Sequence, residues 1–384
     1  MLIAGVLSGT SLDGIDVAVC DVRDDGDGVR ARCERFATVA FEDALRARVL
    51  AALPPSPAGV LDISALHASL GEALGDAVRA VAGDARLDAV ASHGVTLAHD
   101  GEGHHTLQLG DAFRIRERVR ATVVYDFRSA DTAAGGTGAP LVPFVDALLF
   151  GAHAPCVALN LGGIANLTVL PEAIAFDSGP ANLPIDEYVA LRTNGARRFD
   201  EDGRLAMAGR ADPALLADLL RDPYFARPAP KSTGRERYGA HFVERLRARL
   251  DALPFGDAVA TLTALSVRTV TDAVRSAAPR ARLLIASGGG ARNPAIMGGL
   301  RAALSELDVR SSDAFGVDAD AKEAIAFAVL GYAALRERPA GLPSVTGASG
   351  PRVLGAFAPY ELRALLARLD AETERANAGR SSPG

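Results

Sequence analysis

The chain has 384 residues, 49% of them hydrophobic, and a mean hydropathy of +0.14, enough apolar material for more than one core. Its formal net charge of −6 and pI near 5.7, with arginines scattered among acids, exclude nucleic acid or an anionic membrane as the main partner. Cys20, Cys33 and Cys156 show no metal-ligand spacing and fit a reducing compartment, Leu2–Leu7 is too short for a signal segment, and Asp146 with several Pro and Gly breaks the apolar stretch 140–163; a soluble cytoplasmic protein is expected.

In chain order, Ile3–Leu7 and Ile15–Asp21 read as two strands of a hairpin, each rich in β-branched residues and bounded by Gly and Ser. A turn at 24–28 leads to a third strand, Arg35–Ala40. Helical spacing follows at Ala44–Ala52 and Ser64–Ala82, separated by Pro54, Pro55 and Pro57. Asp88–Ser92 predicts a short strand ending at His93-Gly94, and Thr122–Tyr125 another, ending at Asp126-Phe127-Arg128. The small-residue stretch 133–140 is the expected crossover between two lobes. Cys156–Leu161 and Ala165–Leu170 then predict a second hairpin around Gly162-Gly163. Helices are expected at Ala214–Leu220, Ala240–Leu250 and Ala258–Ala277, a strand at Arg282–Ala286, and helices at Ala295–Leu304 and Lys322–Leu335; chain after about Glu374 is expected to fray. Strands alternating with helices put the fold in the α/β or α+β class.

Both hairpin tips are small and polar. Gly9-Thr10-Ser11-Leu12-Asp13-Gly14-Ile15-Asp16 offers backbone N–H groups and hydroxyls without bulk, an arrangement that cradles phosphate oxygens. Asp13 or Asp16 beside it can hold Mg2+ directly or through water, since Mg2+ takes few protein oxygens. An ordinary tight turn is the alternative for either tip alone; both tips in one chain favour nucleotide binding. Ser287-Gly288-Gly289-Gly290 links a strand to a helix and lets backbone approach a flat ligand or phosphate, but it is neither a Walker loop nor a Rossmann fingerprint. Asp177, at the end of a short strand before the Gly179-Pro180 turn, is a candidate general base if held ionised near a hydroxyl or water; an Asp bonding its own turn is the alternative. Asn160, Asn166 and Asn182 would cluster with it if the second hairpin lies alongside. His93, His99, His104 and His105 fit no zinc spacing. Lys231-Ser232-Thr233-Gly234-Arg235-Glu236 reads as a surface loop or a substrate-contacting one.

Taken in order, these stretches resemble the anhydro-N-acetylmuramic acid kinases, of the actin-like ATPase and sugar-kinase superfamily. The resemblance rests on 8–16, Ser92-His93-Gly94, Asp126-Phe127-Arg128, 133–136 with 138–143, 160–166, 176–180, 230–236 and 287–290, spanning nearly the whole chain. It implies a two-lobed actin-like (ribonuclease H-like) α/β fold with a central cleft. Lobe I would comprise 1–135 plus about 355–384, and lobe II 136–354. It implies ATP and Mg2+ as cofactors, a small anhydro sugar as substrate, and a homodimer. Water would add to the anomeric carbon of a 1,6-anhydro sugar while the 6-oxygen attacks the γ-phosphate. Asp177 would be the catalytic base. Gly9 to Asp16, Asn160, Gly162, Gly163, Asn166 and Gly288–Gly290 would bind nucleotide, with Asp13 and Asp16 on the Mg2+ side. His93, Asp126, Arg128 and Glu323 would face the sugar.

The family pattern usually has Gln where this chain has Val95, Gln where it has Thr137, Gly where it has Ala181, and His within Phe144-Val145-Asp146. These departures lie nearer the expected sugar side. They keep in view a kinase of another anhydro sugar such as levoglucosan, and, from a different class, a nucleotide-dependent binding protein without transferase activity.

Overall fold

Runs of Val, Ile, Leu and Ala make β1 (Leu2–Ser8) and β2 (Ile15–Asp24) an antiparallel pair buried along most of its length, with Leu7 opposite Asp16 beside the turn. The computed structural model describes residues 1–384 apart from Thr10, Ser11, Asp13, 25–28, 55–57 and 381–384, and only the backbone of 374–380. The predicted contributions of Thr10, Ser11 and Asp13, and positions 25–28 of the turn expected at 24–28, therefore lie outside the described residues, while Asp24 ends β2.

Two units form. The first is Met1–Leu149 with Ala321–Gly384, and the second is Phe150–Asp320; the lobe limits expected from the sequence were 135/136 and about 354/355. In the first unit β3 (Val29–Val39), β4 (Ala89–Asp100), β5 (His105–Leu109) and β6 (Thr122–Tyr125) follow the hairpin. In the second are β7 (Cys156–Leu161), β8 (Ile164–Leu170), β9 (Ile174–Pro180), β10 (Leu283–Ser287) and β11 (Asp308–Ser311). The chain then returns to the first sheet with β12 (Ala356–Ala358).

The sheet orders repeat. The first runs β3-β2-β1-β4-β6-β12, with β5 paired to β4, and the second β9-β8-β7-β10-β11. In each, the first three strands are antiparallel neighbours, and the first pairs parallel with the fourth, which pairs parallel with the next. This order, occurring twice, is the ribonuclease H-like repeat of actin-like ATPases. Each unit has its own apolar core: Val6, Val17, Leu70, Leu74 and Val90 belong to the first, and Val157, Leu159, Leu262, Leu284 and Leu300 to the second.

The helix Lys322–Leu335, at the bounds expected from sequence, is buried at every position except Glu323. It lies so close to β1 that a Cβ on Gly5 would stand 1.9 Å from the Ala324 carbonyl oxygen.

Several elements differ from expectation. β3 begins at Val29, not Arg35. The strand expected to stop before His93 runs on to Asp100, because β5 gives its far half a partner, with Val95 opposite Leu109; the His104-His105 turn starts that return strand. Asp177 lies in the middle of β9 rather than at a strand end. The helix Leu183–Arg192, β11 and β12 carried no signal strong enough to be read. Beyond Glu374 the backbone stays helical, as Leu362–Arg380, in keeping with the helix propensity of its Ala, Glu and Arg.

Candidate active site

In the second unit, one row of cross-strand partners joins residues far apart in sequence. Ser287 on β10 pairs with Asn160 on β7, Asn160 with Asn166 on β8, and Asn166 with Asp177 on β9. Directly paired residues share a sheet face, so four polar side chains line up across four strands, a span of roughly 14 Å at the usual inter-strand spacing. The row runs from the glycine-rich loop at one end to Asp177 at the other.

That loop needs its glycines. Gly288 has φ 81°, and a Cβ there would come 2.9 Å from both the Asn160 Oδ1 and the Leu161 carbonyl oxygen. A Cβ on Gly289 would meet nothing within 4 Å, so this glycine borders open space. Asn293 then caps the helix Pro294–Ala303, its Oδ1 accepting from the N–H groups of Ala295 (2.9 Å) and Ile296 (3.3 Å). The Gly162-Gly163 turn is fixed by Asn182, whose Nδ2 donates to the carbonyls of Leu161 (3.1 Å) and Gly162 (3.0 Å). Asn182 thus stays with the second hairpin as expected, but as a brace.

Asp177 is half-buried. Burial, first, pushes its carboxyl up to about 6, Glu236 adds to the rise, and a hydrogen bond from the Thr233 N–H to Oδ2 (2.9 Å) pulls it back. It is therefore ionised at neutral pH yet basic enough to take a proton. The alternative of an Asp satisfying its own turn does not describe it: its carboxylate partner lies 56 residues away. The Tyr224 hydroxyl donates to the Asp177 carbonyl (2.8 Å), a contact with no sequence signal, whereas Thr233 sits in the loop read as substrate-contacting. The Thr233 Oγ1 is itself buried with no hydrogen-bond partner.

In the first unit, the hairpin turn closes through the Leu12 N–H to the Gly9 carbonyl (3.0 Å), with Leu12 at φ 54°. The side chains of Leu12 and Ile15 are buried in the core, and the Leu12 carbonyl accepts from Arg46 Nε (2.9 Å), so this part of the turn is held by the unit itself. A Cβ on Gly14 would lie 2.4 Å from Thr38 Cγ2. Asp16 Oδ1 accepts from the Thr38 hydroxyl (2.6 Å) on β3.

His93 and Arg128, both expected on the sugar side, lie side by side in the first unit. Arg128 Nη2 lies 3.1 Å from His93 Nε2, and its Nη1 donates to the Gly138 carbonyl (2.7 Å). A guanidinium can only donate, so His93 Nε2 accepts and the proton sits on Nδ1. Burial, then Arg128 and His99, hold His93 well below the usual histidine range, and its ring stacks on Phe327 at 4.4 Å. Burial likewise lowers Arg128 to about 10, partly offset by Glu323. His93 Nδ1 and Arg128 Nε are buried without hydrogen-bond partners, two donors awaiting an acceptor. Glu323 keeps solvent access; desolvation by surrounding protein and then the Asp16 carboxylate push it above the usual glutamate range, while Arg128 and Lys322 pull it back. Asp126, at φ 54°, uses Oδ1 to accept from the Ser129 N–H (3.2 Å), a turn role.

The departures from the family pattern are taken up by packing. Val95 and Ala181 are buried core residues, and the Thr137 hydroxyl donates to the Ala139 carbonyl (2.7 Å). Asp146 is buried against Lys322, with 2.7 Å between Oδ1 and Nζ.

Residues 1–360 match the family model described as anhydro-N-acetylmuramic acid kinase. Curated proteins of that name are similar along nearly their whole length. One from Streptomyces coelicolor is 46% identical, with 94% of each chain covered. One from Rhodococcus erythropolis is 43% identical, again with 94% of each covered, and one from Xanthomonas oryzae pv. oryzae is 42% identical, covering 94% of this chain and 97% of the relative. A family model spanning nearly all of the chain and relatives above 40% identity lead to one conclusion: this chain belongs to the anhydro-N-acetylmuramic acid kinase family.

Proposed function

We propose that this chain is an ATP-dependent kinase that adds water across the 1,6-anhydro bond of 1,6-anhydro-N-acetylmuramic acid and phosphorylates O6. The products are N-acetylmuramic acid 6-phosphate and ADP, a step of cell-wall recycling. The observation that carries this reading is Asp177, a carboxylate raised to about 6 by burial and oriented by a backbone N–H, at the end of a polar row that starts at the glycine-rich loop. Such a group takes the proton from water attacking the anomeric carbon, so the sugar's 6-oxygen is released to accept the phosphoryl group.

The residues present fit the cofactors. Gly289 leaves room that a side chain would fill, and Asn160 and Asn166 supply amides on the same face for phosphate oxygens. Asp16 lies close enough to Glu323 to raise it, a repulsion that a divalent cation relieves, so Asp16 is the described residue we assign to the Mg2+ side. Bound ATP supplies the phosphoryl group and Mg2+ neutralises charge on its phosphates. The Nδ1–H of His93 and the Nε–H of Arg128 would donate to acceptors on the sugar, with Asp126 and Glu323 nearby in this reading. Relatives named anhydro-N-acetylmuramic acid kinase at 42–46% identity favour N-acetylmuramic acid over another anhydro sugar as the substrate. Cytoplasmic action as a homodimer is proposed on the family resemblance alone.

The test is incubation with ATP, Mg2+ and a panel of anhydro sugars in 18O-water, following ADP and 6-phosphosugar by mass spectrometry. Label at the anomeric hydroxyl is expected, with N-acetylmuramic acid 6-phosphate as the product; ADP without phosphosugar would sink the kinase reading. Asp177→Asn should lose turnover while still binding ATP.

A further inference from the structure

Residues 231–233 strap Asp177 from two sides. The Asp177 N–H donates to the Lys231 carbonyl (3.0 Å), and the Thr233 N–H donates back to Asp177 Oδ2 (2.9 Å). Strand-like pairing is thereby continued onto a side chain. The strap belongs to no helix or strand and is bracketed by Pro230 and Gly234, so local structure does not fix it.

Its anchor is the Lys231 ammonium. Nζ donates to the carbonyls of Tyr224 (3.2 Å) and Phe225 (3.0 Å) and stands 4.9 Å from the Tyr224 ring centre and 5.9 Å from that of Phe176, the neighbour of Asp177. The Tyr224 hydroxyl closes the circuit by donating to the Asp177 carbonyl (2.8 Å). We propose that Lys231 is a positioning residue for the reaction: it pins the strap so that Thr233 occupies one oxygen of Asp177 and leaves the other to take the proton. This rests on Asp177 being the base. A carboxylate free to rotate about its last bond would spend much of its time misaimed, and misplacement of a reacting group by about 1 Å costs roughly 100-fold in rate.

The test is Lys231→Met, which keeps length and packing, assayed for kcat, KM and the pH profile of kcat/KM, with folding checked by thermal unfolding. We expect kcat to fall about 10- to 100-fold with KM for ATP unchanged. We also expect the acid limb to move up by about one pH unit, because the N–H that favours ionised Asp177 is no longer held in place. The other groups facing Asp177, namely Glu236 and the Tyr224 hydroxyl, stay in both variants.

Lys231→Met also deletes a charge, so a second variant isolates the geometry. Replacing the Ser232–Thr233 peptide bond by an ester removes only the Thr233 N–H, and the same upward shift of the limb is expected. If Lys231→Met fails to fold, the ester variant decides. Unchanged kcat and limb in the ester variant overturn the proposal, and so does a fall in kcat for folded Lys231→Met with the limb in place, which would mark a merely structural role. Asp177→Asn run in parallel separates the two readings. If it keeps turnover, the base assignment falls and this inference with it; if it is inactive while the strap variants behave as wild type, this inference alone falls.

Discussion

Burial pushes the Asp177 carboxyl up to about 6, while an unfolded chain would ionise it near 3.8. Between those pH values the folded protein holds a proton that the unfolded chain releases, so stability falls as pH rises through the window, and the full cost is present above it. At about 1.4 kcal/mol per unit, that cost is at most about 3 kcal/mol at neutral pH. Asp177→Asn should therefore be more stable than the parent at pH 7.5, with the difference shrinking towards pH 4, while losing turnover. Urea unfolding at the two pH values checks this; equal stability at both would mean that the carboxylate is not strained by its site. The same reasoning predicts that kcat/KM drops as pH falls through about 6. The candidate role of Asp177 was legible in Phe176-Asp177-Ser178-Gly179-Pro180, but the groups that hold it were not. Tyr224 and Thr233 lie 47 and 56 residues downstream and meet it only in the fold.

The helix Lys322–Leu335 shows what an element announces and what it conceals. Its alanine-rich, nearly unbroken apolar run predicted both its existence and its bounds. That it seats directly on β1 depends on Gly5, at an ordinary strand position that gave no warning. Gly5→Ala would put a methyl group 1.9 Å from a backbone oxygen that cannot rotate away, so helix or strand must shift. A loss of at least about 1–3 kcal/mol is expected in chemical unfolding, as for other overpacked cores; a neutral substitution would show that the helix can slide. β4 and β5 teach the converse. β5 is only five residues long and opens on exposed His105, so nothing in it marked the extension of β4 beyond His93, which places that histidine mid-strand rather than on a loop.

Across the molecule, one strand order is used twice, each time placing a polar hairpin turn at the end of the central strand. The chain passes between its units near 149/150 and 320/321, and a buried ion pair stands beside both passages, Asp146 on the helix Val142–Phe150 and Lys322 at the start of the returning helix. Removing one partner of a buried pair costs about 3–5 kcal/mol, whereas replacing both by apolar groups is often neutral or better. Asp146→Asn should destabilise by that amount, and Asp146→Leu with Lys322→Met should recover most of it, measured by urea unfolding; a harmless single substitution would show that the pair matters little. The sequence by itself determined the α/β class, the two polar hairpins, the glycine loop, the candidate base and the family, because short motifs and hydrophobic periodicity are local properties of a chain. Only tertiary structure decided that Ser287, Asn160, Asn166 and Asp177 form one row, that Arg128 fixes the tautomer of His93, and that Asp146 answers Lys322. Those facts depend on strand register and burial, which bring together residues whose separation along the chain carries no trace of their meeting.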